Sequence, residues 1–158
     1  MGSNMSINLD ANIIPGKSIG GISLGDNVND IIKCIEAEYC INVIEFENFG
    51  VKYLCYKIND GAISFTVNEI GHIVSLWCEP PYKGSFNGKL YPGITARKLK
   101  EISSIQTIIK GYLVIDNNPL IYYGMPDDID DFNCFSDLDD DVFFNELYVG
   151  DLNQSWKI

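Results

Sequence analysis

The hydrophobic positions first recur at the period of a helix. After a glycine-marked lead-in over residues 13–25, Asp26 or Asn27 suits a helix N-cap, and Asp30 places negative charge in the first turn. The apolar residues that follow share one helical face: Val28, Ile31, Ile32 and Ile35. The pattern predicts an amphipathic helix over residues 27–38.

The next residues alternate at the two-residue period of strands. Asp60-Gly61 separates two such runs and is a strong hairpin signal, and a second turn is predicted at residues 69–72. Pro80-Pro81 ends the series, because proline cannot donate to a strand ladder. The predicted strands are Ile41–Glu47, Lys52–Ile58, Ala62–Glu69 and Ile73–Cys78.

The second half repeats this order. Thr95 is the expected N-cap of a helix whose buried face carries Leu99 and Ile102. The predicted strands are Thr107–Ile115 and Leu120–Tyr123, and a final apolar stretch, Val142–Val149, follows the acidic residues. The connections are too short for parallel crossovers. We therefore expect an α+β fold, an antiparallel sheet meander with two helices packed on it, compatible with a degenerate α-β-β-β duplication.

Length and charge narrow the class of protein. Met1–Asn4 is interpreted as a cloning remnant, and residues 5–158 are predicted to form a single globular domain. The net charge is −11 at pH 7. Nucleic acid and anionic membranes are disfavoured as direct partners, because both require clustered basic residues. A basic protein is the natural complement.

The chain offers little catalytic or metal chemistry. His72, the single histidine, falls in a predicted turn, and no CxxC pair occurs. The five cysteines are odd in number and irregularly spaced, which predicts free thiols. No signal peptide or membrane span is recognised, so we predict a cytoplasmic protein without a cofactor or metal.

Near the C-terminus, acidic residues alternate with apolar ones, and aromatic anchors ringed by charge are typical of protein interfaces. The sequence therefore predicts a partner-binding segment in which charge steers association. Its predicted binding residues are Asp127, Asp128, Asp130, Asp131, Phe132, Phe135, Asp137, Asp139, Asp140 and Asp141.

Acidic and glycine-rich segments of this kind also occur in proteins that bind no protein partner. A solvated, solubility-promoting loop would have the same composition as the acidic segment. A calcium loop is disfavoured, since the glycine and glutamate of an EF-hand are missing. An adventitious surface cation site remains an alternative. Gly20–Gly25 lacks the spacing of a phosphate-binding loop.

The lead-in Pro15–Asp26 with Val28 and Ile31 resembles the start of small bacterial immunity proteins, and Tyr91–Thr95 and Asn145–Asp151 are similar in kind. These proteins accompany polymorphic toxins, including those of contact-dependent growth inhibition. The resemblance implies a cytoplasmic antitoxin that occludes one cognate toxin domain, usually a nuclease, without catalytic residues of its own.

The charge and the resemblance lead to the same expectation. We predict a non-enzymatic immunity protein that neutralises a cognate basic toxin domain, with a ribonuclease favoured. The alternatives are a small metal-dependent hydrolase with an acidic site and a generic intracellular protein-binding module. A toxin gene next to this one would favour the first, and activity with divalent metals would favour the hydrolase.

Overall fold

The computed structural model describes residues 7–126 and 135–154. Within these residues the protein is α+β, as predicted, with two helices packed against a large antiparallel sheet. The helices are α1 (Val28–Ile35) and α2 (Ala96–Ile102). The strands are β1 (Ser18–Ile19), β2 (Ile22–Ser23), β3 (Ile41–Asn48), β4 (Val51–Ile58), β5 (Ile63–Val67), β6 (Ile73–Cys78), β7 (Ile94–Thr95), β8 (Gln106–Ile109), β9 (Tyr112–Ile115), β10 (Ile121–Gly124), β11 (Phe143–Phe144) and β12 (Leu147–Val149).

The large sheet joins two meanders. Its strand order is β3-β4-β5-β6-β12-β10-β9-β8, with antiparallel neighbours throughout. In each half one helix precedes four strands of this sheet, and the halves meet where β6 pairs with β12. The repeated unit is therefore a helix followed by four strands, one strand more than the repeat suggested by the sequence.

One face of the sheet carries the main core. Phe65, Leu76 and Tyr123 are completely buried there together with Ile31 of α1 and Leu99 of α2. Because strand side chains alternate between faces, the residues next to these in sequence point to the opposite face. Neither α1 nor α2 contributes to the smaller cluster of Val114, Tyr122 and Leu152 on that side, which we call the open face.

Local capping chemistry explains where the helices begin. The Asn27 side chain accepts a hydrogen bond from the Asn29 N–H, and Thr95 Oγ1 accepts one from the Lys98 N–H at 3.1 Å. Both N-caps agree with the sequence. Helix α1 ends at Ile35, three residues before the predicted end, and backbone turns occupy the residues that follow.

One strand prediction was wrong. Residues 107–115 form a hairpin rather than one strand, because Lys110 and Gly111 both adopt positive φ and reverse the chain between β8 and β9. The stretch Val142–Val149 is also divided. Strand β11 leaves the large sheet to pair with β7, whereas β12 enters its centre.

Candidate protein-binding surface

Two glutamates face each other at the junction of the halves. Cys78, the last residue of β6, pairs with Leu147, the first residue of β12, and Glu79 and Glu146 are the adjacent residues just beyond this pair. Their side chains lie on the open face, since those of Cys78 and Leu147 point into the core. Like charges that lie close together repel each other and disfavour the charged form of each group. This arrangement is therefore an electrostatic cost within the fold.

Each of these carboxylates rests against a glycine. A Cβ added to Gly124 would lie 2.7 Å from Glu146 Oε1, and one added to Gly61 would lie 3.1 Å from Glu79 Oε2. Any larger residue at either position would crowd the carboxylate. The two glycines thus give the glutamates room to lie close to the backbone.

The repulsion between the two glutamates affects the pKa of Glu79. Desolvation by burial raises the pKa of its carboxyl group above the usual value, and the charge of Glu146 raises it further. Lys57 and a hydrogen bond from Trp77 act in the opposite direction. Among the described residues, no ion pair within 4.0 Å includes Glu79 or Glu146. The pair therefore keeps excess negative charge at the surface.

Glu79 and Glu146 line an acidic pocket of about 590 Å³. Its wall includes Asp139 and Asp141 from the predicted acidic segment, and Phe143, whose side chain is 57% exposed. Four carboxylates and one accessible aromatic ring therefore converge at one end of the sheet. Such a combination suits a cationic protein surface better than a neutral one.

A row of aromatic rings continues from the pocket across the open face. The rings of Trp77 and Tyr148 stack at 5.2 Å, those of Tyr148 and Tyr122 at 5.7 Å, and Tyr112 meets the last two edge-on. Burial is the main cause that raises the pKa of Tyr122 to about 12 and that of Tyr148 still further. Both phenols are protonated at neutral pH, as an unperturbed tyrosine also is, and they can donate hydrogen bonds.

The aromatic row contacts Glu79 and Glu146, which we call the acid pair. The Tyr148 hydroxyl donates a hydrogen bond to Glu146 Oε1 at 3.2 Å, and Trp77 provides the corresponding hydrogen bond to Glu79. Beyond Trp77, a second hollow of about 290 Å³ is lined by Phe46, Tyr53 and other open-face residues. Acidic and aromatic groups thus form one continuous surface.

The predicted binding residues are distributed unevenly over this surface. Asp139 and Asp141 line the pocket, and Asp137 is exposed in a short 3-10 helix, Phe135–Asp137. Five others lie outside the described residues: Asp127, Asp128, Asp130, Asp131 and Phe132.

Asp140 has partners within the protein. Its carboxylate accepts a hydrogen bond from Lys100 Nζ at 3.0 Å and lies 3.7 Å from Arg97 Nε. The hydrogen bond and charge of Lys100 lower the pKa of Asp140, with a smaller contribution from Arg97. Asp140 therefore anchors the acidic segment to α2, a role that its sequence neighbours gave no reason to expect.

Phe135 belongs to the core in this structure. Its side chain is 3% exposed, its ring centroid lies 6.0 Å from that of Phe144, and Lys100 Nζ lies 5.7 Å from the ring centroid. Phe135 therefore packs in the protein interior and is not exposed to a partner. The exposed aromatic ring beside the pocket is that of Phe143, which the sequence pattern did not single out.

Two further observations concern other classes of site. In the parts of the chain that the structure describes, no cluster of three or more His, Cys, Asp or Glu side chains could hold a metal ion. None of the described helices has the length and apolar character needed to span a membrane.

Comparisons with protein-family models, curated proteins and solved structures gave no match. The function is therefore argued from the surface itself and from the resemblance noted in the sequence.

Proposed function

We infer that the protein is an immunity protein that binds a cognate basic toxin domain and blocks it by stoichiometric occlusion in the cytoplasm. One observation carries the proposal most directly. The Glu79–Glu146 pair, Asp139 and Asp141 border one pocket beside the exposed ring of Phe143. A surface with unbalanced negative charge and an aromatic anchor is suited to a basic protein partner.

The charge of the whole chain supports this kind of partner. A net charge of −11 attracts a basic protein over a distance and can accelerate association by roughly tenfold to a thousandfold. Nucleases bind phosphates through basic clefts, so they are the toxins best matched to this surface. Among them a ribonuclease is favoured.

Occlusion is the mechanism that best fits the surface. A continuous acidic and aromatic area can cover a basic cleft, and such inhibition consumes one immunity protein for each toxin molecule. Rapid association also matters, since a toxin that meets its inhibitor slowly damages the cell before it is bound.

The direct experiment is to purify the product of the adjacent gene and to titrate its nuclease activity with this protein. We expect its nuclease activity to fall linearly and to end near one equivalent of the protein, with intact toxin recovered after denaturation. Inhibition by far less than one equivalent, or a chemically modified toxin, would contradict occlusion and indicate an enzyme.

A set of variants tests whether the acidic segment takes part. Replacing Asp137, Asp139, Asp140 and Asp141 together by Asn should slow association at low ionic strength and weaken its salt dependence. We expect Asp139→Asn with Asp141→Asn to account for most of this effect, because Asp140 already has basic partners.

The matched control carries Glu36→Gln and Glu38→Gln, which remove two charges at exposed positions just after α1. Stopped-flow association rates that fall equally in the control and in the Asp139/Asp141 variant would exclude the acidic segment as a specific contact.

A further inference from the structure

We propose that the partner inserts an arginine side chain between Glu79 and Glu146, with the guanidinium shared by the two carboxylates and the aliphatic stem against Trp77 and Tyr148. This inference rests on the proposed function and specifies the chemistry of the partner at the same surface. The proposed occupant of the open face is a basic protein with an exposed arginine.

The first argument is that the acid pair lacks a sufficient counter-charge. Glu79 and Glu146 lie just beyond the paired ends of β6 and β12, the charge of Glu146 acts on Glu79, and Lys57 is the basic residue whose charge acts on Glu79. No described ion pair within 4.0 Å joins Lys57 to either glutamate. A cation placed between the carboxylates would replace repulsion by two attractions.

The second argument is an unsatisfied hydroxyl group beside Glu79. Ser64 is completely buried, and its Oγ has no hydrogen-bond partner among the described residues. A Cβ added to Gly61 would lie 3.8 Å from this oxygen and 3.1 Å from Glu79 Oε2, so both groups border the same point. Buried polar atoms are normally paired, so this hydroxyl is an unmet hydrogen-bonding group close to the Glu79 carboxylate.

The third argument concerns the surroundings of the acid pair. Tyr148 already donates a hydrogen bond to Glu146, and the indole of Trp77 interacts with Glu79 and lowers its pKa, so both carboxylates have neighbouring donors before a partner arrives. Their stacked rings offer apolar surface to the stem of a long side chain. Binding to groups that are already ordered loses less conformational entropy.

Arginine fits this arrangement better than lysine. A guanidinium group is planar, carries five N–H donors and can bind two carboxylates at once. An ammonium group is a more strongly hydrated point charge, and its transfer into a half-buried site costs more. The expected preference is therefore for guanidinium over ammonium at equal peptide charge.

Fluorescence of Trp77 tests the proposal without the toxin. Trp156→Phe leaves Trp77 as the single tryptophan. Hexaarginine and hexalysine peptides are titrated into this protein and into the same protein with Glu79→Gln and Glu146→Gln. These two substitutions preserve shape and remove the repulsion, so the variant is expected to fold. Glu36→Gln with Glu38→Gln is the control of equal charge change.

We expect hexaarginine to change Trp77 fluorescence saturably, and the Glu79/Glu146 variant to bind at least about tenfold more weakly. The Glu36/Glu38 control should stay within about twofold of the parent protein. Equal losses in both variants, equal affinity for hexalysine, or no fluorescence response would overturn the proposal.

The toxin titration separates this inference from the proposed function. If the Glu79/Glu146 variant neutralises toxin with unchanged affinity and the peptide effects are missing, only the arginine site fails. If the peptide effects occur but the adjacent gene product is not neutralised, the arginine site stands and the immunity function fails.

Discussion

The carboxylate of Glu146 occupies the space that a side chain at Gly124 would need. A Cβ at Gly124 would lie 2.7 Å from Glu146 Oε1 and 3.2 Å from a ring carbon of Tyr148. The absence of a side chain at Gly124 therefore leaves space for the Glu146 carboxylate on the open face. Glu146, held there, also accepts the hydrogen bond from Tyr148.

Gly124→Ala should change the position of Glu146 more than the stability of the fold. The crowded atom is the end of a flexible side chain, so we expect the free energy of unfolding to change by less than about 1 kcal/mol. Hexaarginine binding should weaken, as measured by Trp77 fluorescence. Gly150→Ala is the matched control, because it crowds the Tyr122 hydroxyl instead. Undiminished hexaarginine affinity in Gly124→Ala would contradict this role of the glycine.

Glu79→Gln should stabilise the protein at neutral pH. The folded state binds the Glu79 proton more tightly than the unfolded state does, because burial and Glu146 raise its pKa. Wild-type stability is therefore lost as the pH rises from the ordinary value of 4.5 through the higher folded pKa. Urea unfolding across this range should show the advantage of Glu79→Gln growing and then levelling off. An equal profile for the exposed-site control Glu36→Gln would contradict the assignment.

Substitution of Phe135 should lower stability, whereas substitution of Phe143 should weaken binding. Phe135→Ala removes a buried ring and should lower the free energy of unfolding by about 3 kcal/mol. Phe143→Ala alters an exposed ring and should change it by no more than about 0.5 kcal/mol, while weakening toxin binding by more than about 1 kcal/mol. Urea unfolding and a measured dissociation constant test both parts. Equal destabilisation by the two variants would contradict the burial difference.

The cysteines should differ in reactivity according to burial. Thiol titration of denatured, unreduced protein should find all five cysteines free, and three or fewer would contradict this expectation. With Cys134→Ser in the folded protein, the exposed Cys40 should react first with a disulfide reagent. Cys78 should react only on unfolding, because burial shields its thiol and raises its pKa.

Local signals in the sequence were sufficient for much of the fold. The caps at Asn27 and Thr95 depend on neighbouring residues, and the Asp60-Gly61 turn connects β4 and β5 as expected. The turn at Lys110-Gly111 was missed, because lysine seldom adopts positive φ and the flanking residues have the pattern of one apolar strand.

The candidate surface depends on contacts that local patterns do not encode. Glu79 and Glu146 are distant in sequence and meet only because β6 pairs with β12, a pairing that alternation alone cannot select. The composition of the acidic segment indicated charge, and the structure places Asp139 and Asp141 of that segment in the lining of the pocket. It could not distinguish Asp140, whose partners come from α2.

The pairing of β6 with β12 also bears on how the chain acquires its shape during synthesis. Strand β12, Leu147–Val149, occupies the middle of the sheet although it is the last strand in the described chain. Until it has emerged from the ribosome, the backbone of β6 has no hydrogen-bonding neighbour on that side, and the two meanders cannot join. We therefore expect ribosome-bound chains that end before Leu147 to contain at most a preformed first half, with completion of the sheet deferred to a late, long-range docking step.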